Sequence, residues 1–276
     1  MGRLLRLKSF RKYLVWTCIA LIAWAFVLAP NKTISSSSET TISFSGKFFT
    51  TDNLGNIFLV QSDNSIEKYD QKGNRKAVVN FKIYGNISQL DVSNPFEIYC
   101  YYADQQVLLI LDNLLNVRAE IDMTDISTGE VSAAARSFDN GIWYFDASSM
   151  KLLKATKNLV TQIEGVPMGT WTKQVWKPTQ LLDNEKNIFV HDSANGICLF
   201  DVFGNYYKSL DITGLIDFQV KKNKIIYFQQ PHLISYDYKL FRSDTLYTDS
   251  VATMIRTNNT TYYNWVNDSL KIIINE

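Results

Sequence analysis

Side chains that do acid–base chemistry or hold metals are scarce in this chain. Its 276 residues contain two histidines, His191 and His232, and three cysteines, Cys18, Cys100 and Cys198. Histidine is the usual general base near neutral pH and the commonest metal ligand, and a metal centre needs several such groups at fixed spacing. His191 and His232 fall at corresponding places in units separated by one other, just before a strand-to-strand connection, and read as exposed loop residues. Ser149 and Ser193 lack a Gly-x-Ser-x-Gly context, no glycine run resembles a phosphate loop, and the acids do not follow the Asp-x-Asp-x-Asp-Gly calcium pattern. The expectation is a protein with no catalytic set, no metal and no cofactor.

The acids have another task. The pattern Asp-x-x-Gly-Asn recurs at Asp52–Asn56, Asp70–Asn74 and Asp201–Asn205; Asp112–Asn116 and Asp183–Asn187 keep it with Leu115 and Lys186 in the glycine place. Aspartate caps a tight turn through its carboxylate, and glycine or asparagine takes the left-handed conformation that lets a strand reverse. Asp52 and Asp70 lie 18 residues apart, as do Asp183 and Asp201, and the pairs are 131 residues apart, which is three units of about 44. One series of turns runs near Asp52, Asn94, Asp139, Asp183 and Asn223, and a second near Asp70, Asp112, Asn158, Asp201 and Asp237.

These turns punctuate a chain that is 46% hydrophobic and 13% aromatic and rich in the β-branched and aromatic residues that suit a pleated, half-buried surface. No segment keeps helical apolar spacing for three turns. Four short strands per unit with a period in the forties is the signature of a β-propeller blade. In one unit the strands are Gln89–Val92, Phe96–Tyr102, Gln106–Leu111 and Val117–Ile121. A sixth unit supplies three, Val251–Arg256, Thr261–Val266 and Leu270–Ile274, and Thr41–Ser45 is left over to provide the fourth. The expectation is an all-β, six-bladed β-propeller over residues 42–276, closed by its N-terminal strand. A β-sandwich or solenoid explains neither the repeated 18-residue offset nor the spare strand; five or seven blades are the alternatives in number.

Ahead of the propeller, Arg3, Arg6, Lys8, Arg11 and Lys12 precede an apolar run from Tyr13 to Ala29. Residues 1–30 read as a signal peptide, with Ala23 and Ala25 placed for cleavage after Ala25, or as an uncleaved membrane anchor. Both place the body across the membrane. Val15, Trp16 and Thr17 make a poor lipobox before Cys18. Residues 31–41, with four consecutive serines, read as a linker. The whole chain has 28 basic and 27 acidic residues; without the leader the body is net negative, which offers nothing general to a nucleic acid. Cys100 and Cys198 sit in apolar strands far apart, where free buried thiols are the expectation and one disulfide the alternative.

In a four-stranded antiparallel blade both series of turns lie on one face of the disc, and the connections between blades lie on the other. Loops usually carry binding. The longest connection is Ile163–Pro178, with Met168, Trp171, Lys173 and Trp176; its tryptophans are either interface anchors or plugs between blades. Tyr84 and Asp125 sit on other connections of that face, and these six residues are the candidate partner-binding set.

The basic and apolar leader, the aromatic Gly-Asn-Ile-Phe strand and the segment Leu90-Asp91-Val92-Ser93-Asn94-Pro95 resemble a group of Bacteroidota periplasmic β-propeller proteins across residues 42–276. Asp-Ser/Thr-aliphatic triplets, as at Asp249-Ser250-Val251, look like the periplasmic O-glycosylation motif of that lineage. Within the group the overall resemblance is to the propeller that plugs the periplasmic side of the type IX secretion translocon, which implies an outer-membrane translocon as partner and carries over no functional residue. The function expected is that of a protein-binding scaffold, plug or assembly factor of the cell envelope. The alternative is a glycan- or small-ligand-binding propeller, or a lyase or hydrolase working in the central channel.

Overall fold

The computed structural model describes residues 38–274, which form 24 strands in six four-stranded antiparallel sheets. β1 (Ser38–Ser43) precedes blade 1, made of β2 (Gly46–Thr51), β3 (Ile57–Gln61), β4 (Ser65–Tyr69) and β5 (Arg75–Asn80). Blade 2 is β6 (Gln89–Asp91), β7 (Ile98–Tyr102), β8 (Val107–Leu111) and β9 (Val117–Asp122); blade 3 is β10 (Val131–Arg136), β11 (Ile142–Asp146), β12 (Lys151–Ala155) and β13 (Thr161–Glu164). Blade 4 is β14 (Gln180–Asp183), β15 (Asn187–Asp192), β16 (Gly196–Asp201) and β17 (Tyr206–Leu210); blade 5 is β18 (Phe218–Lys221), β19 (Lys224–Gln229), β20 (His232–Asp237) and β21 (Arg242–Thr248). Blade 6 has β22 (Met254–Asn258), β23 (Thr261–Val266) and β24 (Ser269–Ile274), with β1 hydrogen-bonded to β24 as its outer strand. The fold is the six-bladed β-propeller. Its first strand starts three residues earlier than the apolar pattern places it, inside the serine-rich stretch.

Burial follows position in the blade. Middle strands such as β7 (Ile-Tyr-Cys-Tyr-Tyr) and β11 (Ile-Trp-Tyr-Phe-Asp) are buried along their whole length, because blades pack on both of their faces. Outer strands such as β9 and β21 are mostly exposed at the rim. Six apolar clusters result, one in each seam between neighbouring blades. The seam between blades 5 and 6 is the thinnest, with four buried members, Ile226, Leu233, Ala252 and Ile255.

The aspartate turns are built as their chemistry requires. In Asp112–Asn116 one carboxylate oxygen accepts the Leu114 N–H at 2.8 Å and the Asn116 N–H at 2.9 Å, and the Asn116 side-chain amide bonded to it holds the Asp112 carboxyl below its usual range. Gly55, Gly73 and Gly204 take the left-handed conformation in their copies, and so does Leu115, whose side chain is fully buried in the seam between blades 1 and 2. The Asp183 copy differs. Without glycine in the fourth place the chain reverses one residue sooner, with Glu185 left-handed and Asn184 bonded to Asn187. The Asp183 carboxylate then reaches blade 3, accepting from Ser137 Oγ, the Phe138 N–H and Trp143 Nε1 at 3.0–3.2 Å.

Candidate functional site

Inner strands position everything that could act in the channel. Its turn-face end is a cavity of about 280 Å³ lined from β2, β6, β14, β18 and β22, and its loop-face end is a smaller one of about 130 Å³. β10 of blade 3 lines neither. The side-chain amide of Gln89 on β6 donates to the Leu181 carbonyl at 2.7 Å and accepts the Leu181 N–H at 3.1 Å, tying blade 2 to blade 4 directly. Gln219 makes the same double bond to Thr257, joining blades 5 and 6. Gln180 Nε2 donates to Asp217 at 2.7 Å, and Asp217 pairs with the buried guanidinium of Arg256, whose Nε faces Thr51 Oγ1 at 3.4 Å. Arg256 lines the first cavity and Asp217 the second, so this ion pair stands between them. Apart from Gln180 Oε1, which is buried without a partner among the described residues, these channel polar groups are committed to bonds between blades, where they hold the ring.

Gln89 bonds blade 4 past β10, and the loop face in front of β10 opens into a vestibule of about 840 Å³. Blades 2, 3 and 4 and the end of the Ile163–Pro178 connection surround it, with Asp104, Glu130, Ser132, Val175, Lys177 and Asp192 on its walls. Lys177 Nζ pairs with Glu130 at 2.8 Å. The Asp192 carboxylate accepts the Lys177 N–H and the Asn195 amide, which fixes the connection over blade 4. The Ser132 hydroxyl, at a bulge in β10, is buried and has no hydrogen-bond partner among the described residues.

The six residues picked from the sequence divide. Met168 and Trp176 are fully buried between blades 3 and 4, and Trp171 packs on the same cluster, stacked on Tyr206 at 4.0 Å. All three hold the connection in place as plugs, and Met168 and Trp176 present no surface in this monomer. Lys173 and Asp125 are exposed, and Tyr84 is half-buried against Tyr102. None of the six lines the vestibule. Its walls were missed because they come from three blades, although glutamine heading an inner strand, at Gln89 and Gln180, was a repeated feature that could have marked the bridges.

His191 is a correction. It lies on β15, not on an exposed loop, with 1% of its surface accessible, and blades 4 and 5 that carry the two histidines are neighbours. It packs edge-on to Phe218 of blade 5 at 5.6 Å, and neither ring nitrogen has a partner among the described residues. Burial pushes its pKa down to about 4. An unfolded imidazole titrates near 6.5, so below that pH the unfolded chain takes up a proton that the folded one resists. The stability His191 allows is complete above about pH 6.5 and is lost as pH falls toward 4, by about 2–3 kcal/mol at pH 4.5. His191→Leu should abolish that part of the acid sensitivity, read as the difference between parent and variant in denaturant melts at pH 8 and pH 4.5. An unchanged difference would show that the ring is solvated. Cys100 and Cys198 are free and buried, in different blades, with burial raising each thiol to about 12.

Among the described residues no three His, Cys, Asp or Glu side chains gather as a metal site would need, and no helix is long and apolar enough to cross a membrane; the apolar run 13–29 lies outside them. Neither a protein-family model nor a curated protein sequence matches the chain. Solved structures do resemble it. A catalytically inactive virginiamycin B lyase from Staphylococcus aureus with quinupristin superposes with a TM-score of 0.57 at 11% identity, over 87% of this chain and 99% of that one. The Pan2 WD40 domain of Neurospora crassa gives 0.62 at 8% identity, over 89% and 98%. The extracellular domain of a B. thetaiotaomicron protein described as a one-component system gives 0.50 at 12% identity, over 81% of this chain and 32% of that one. What they share with this chain is the propeller. One neighbour is a lyase and two are not described as enzymes, so the likeness extends to architecture alone.

Proposed function

We propose that this chain is a non-catalytic, protein-binding propeller of the cell envelope, a scaffold, plug or assembly factor, that receives its partner on the loop face. The observation that carries the reading is the contrast between its two concave regions. In the channel, Gln89, Gln219, Asp217 and Arg256 are used up in bonds between blades, and Gln180 gives its amide N–H to Asp217 while its Oε1 stays buried without a partner among the described residues. The vestibule before blade 3 is open and acidic, with Asp104 beside Glu130, which pairs with Lys177, and Asp192, which holds the Lys177 N–H and Asn195, and it keeps the Ser132 hydroxyl buried without a partner among the described residues. An extended segment with a basic side chain and a carbonyl for Ser132 suits that lining. Lys173, Tyr84 and Asp125 stand on the same face as rim contacts, and Trp171, Trp176 and Met168 fix the connection that forms one wall. The leader read from the sequence as a signal peptide or anchor and the resemblance to Bacteroidota propellers support an envelope setting, with an outer-membrane translocon as one such partner.

Capture from solubilised envelope membranes tests this. The parent chain should retain one stoichiometric protein, and the rim changes Val175→Asp and Glu130→Lys together should weaken it by about tenfold or more, the size of losing one interface anchor. Both side chains are exposed, so the melt should not move. Undiminished capture by the variant would remove the loop face from consideration. Absence of any stoichiometric partner would remove the protein-binding reading itself.

A further inference from the structure

The turn face carries exposed apolar side chains that its turns do not require, two of which, Phe138 and Phe241, lie under Lys154 and Lys208. In the Asp-x-x-Gly-Asn turns the third residue contributes only its backbone N–H to the aspartate cap, as Leu54, Leu114 and Phe203 do at 2.8–3.0 Å. Lys72 does the same in the Asp70 copy at 2.9 Å, so the turn makes no demand on that side chain. Yet Leu54, Leu114 and Phe203 all project into solvent there. The four exposed phenylalanines of the described residues are all on this face: Phe96, Phe138, Phe203 and Phe241, at 69%, 47%, 71% and 71% accessible. They belong to turns of blades 2, 3, 4 and 5. Lys72, Lys186, Lys222 and Lys239 stand exposed on turns between them. Large rings on loop tips, spread around a disc and interleaved with lysines, do not make one contiguous patch of the kind a protein partner buries. They match a flat surface that accepts shallow apolar anchors and attracts cations, which is the headgroup region of an anionic bilayer.

A second observation bears on which face meets a membrane. β24 is the third strand of its blade and therefore runs toward the turn face, and Ser38 pairs with its last residue, Ile274. The chain thus enters the propeller on the turn face. Eight residues, 30–37, separate that point from the apolar run ending at Ala29, a span of at most about 30 Å when extended.

We infer that the turn face docks on an anionic lipid bilayer through Phe96, Phe138, Phe203 and Phe241, with the interspersed lysines on the headgroups. The inference stands without the partner proposed above, since it concerns the opposite face. The test uses the full chain, synthesised with vesicles of phosphatidylglycerol and phosphatidylcholine carrying spin-labelled lipid. Cys18 is changed to Ser, and one environment-sensitive fluorophore is placed at Phe203→Cys on the turn face or at Val175→Cys on the loop face; Cys100 and Cys198 are buried and do not compete. The label at 203 should be quenched by the lipid spin label and the label at 175 should not. Adding Phe96→Ser, Phe138→Ser and Phe241→Ser should release the quenching at 203 with only a small shift of the melt, from the loss of the rings under Lys154 and Lys208, and replacing phosphatidylglycerol by phosphatidylcholine should reduce it. Equal quenching at both positions, or quenching indifferent to the three substitutions, would overturn the docking. No quenching at either position would overturn it too and leave the turn face to a protein.

Discussion

A chain with Ile42 and Phe44 both replaced by alanine should lose most of its folding stability, although both residues lie at the N-terminal edge of the domain. Ile42 is on β1, opposite Leu270 of β24, and Phe44 follows it, fully buried. The Phe44 ring meets Phe49 of β2 edge-on at 6.3 Å and Trp265 of β23 at 4.9 Å, so one side chain touches both blades that flank the seam. Gly46 leaves room for that ring, since a Cβ there would overlap it. Buried Ile→Ala and Phe→Ala changes cost about 2–5 and 3–5 kcal/mol. Their sum approaches the whole stability of an ordinary domain, about 5–15 kcal/mol. Every blade leans on two neighbours, so opening one seam exposes two sheet faces and the loss is not confined to blade 6. Thermal and urea melts of the full chain measure the effect. A double variant that melts within a few degrees of the parent would mean that the ring is held by its other five seams and that β1 only decorates blade 6.

That strand shows what the sequence could and could not tell. Its existence was legible because the last unit has three strand-like runs and the chain before Asp52 has one to spare. Its limits were not, because an outer strand keeps one face in water, and Ser38, Glu39 and Thr40 look like linker until Ile272, Ile273 and Ile274 are set opposite them. Turns were legible for a local reason: the Asp cap, the left-handed glycine and the closing Asn act within five residues. The middle strands of blade 2 were legible from their unbroken apolar runs. The site was much less so. Gln89 binds a backbone 92 residues away, Asp183 clamps a tryptophan 40 residues back, and His191 is buried only because blade 5 brings Phe218 against it. Such contacts depend on the angle between blades, which no local pattern encodes. Trp171 and Trp176 could be read either as anchors or as plugs for the same reason, since the difference lies in whether blade 4 covers them.

Removing one member of the Arg256–Asp217 pair should be far more damaging than removing both. The guanidinium is buried on β22, and burial lowers its pKa to about 9, so it remains protonated at neutral pH. Asp217 supplies the compensating charge and also accepts from Gln180 of blade 4, so one carboxylate connects three blades across the channel. Asp217→Asn keeps the shape and the Gln180 contact but leaves a buried cation unpaired, an arrangement that costs about 3–5 kcal/mol. Arg256→Met in the same background removes the charge that needed compensating and replaces it with a side chain of similar reach. Buried ion pairs replaced by apolar groups are often neutral or even favourable, so the double variant should recover most of the loss, a coupling well above the few tenths seen between independent sites. Urea melts of the two single variants and the double variant give that coupling directly. A cost below about 1 kcal/mol for Asp217→Asn would show that channel water solvates Arg256. The two cavities would then be one continuous channel, and its polar lining would again be available for a ligand.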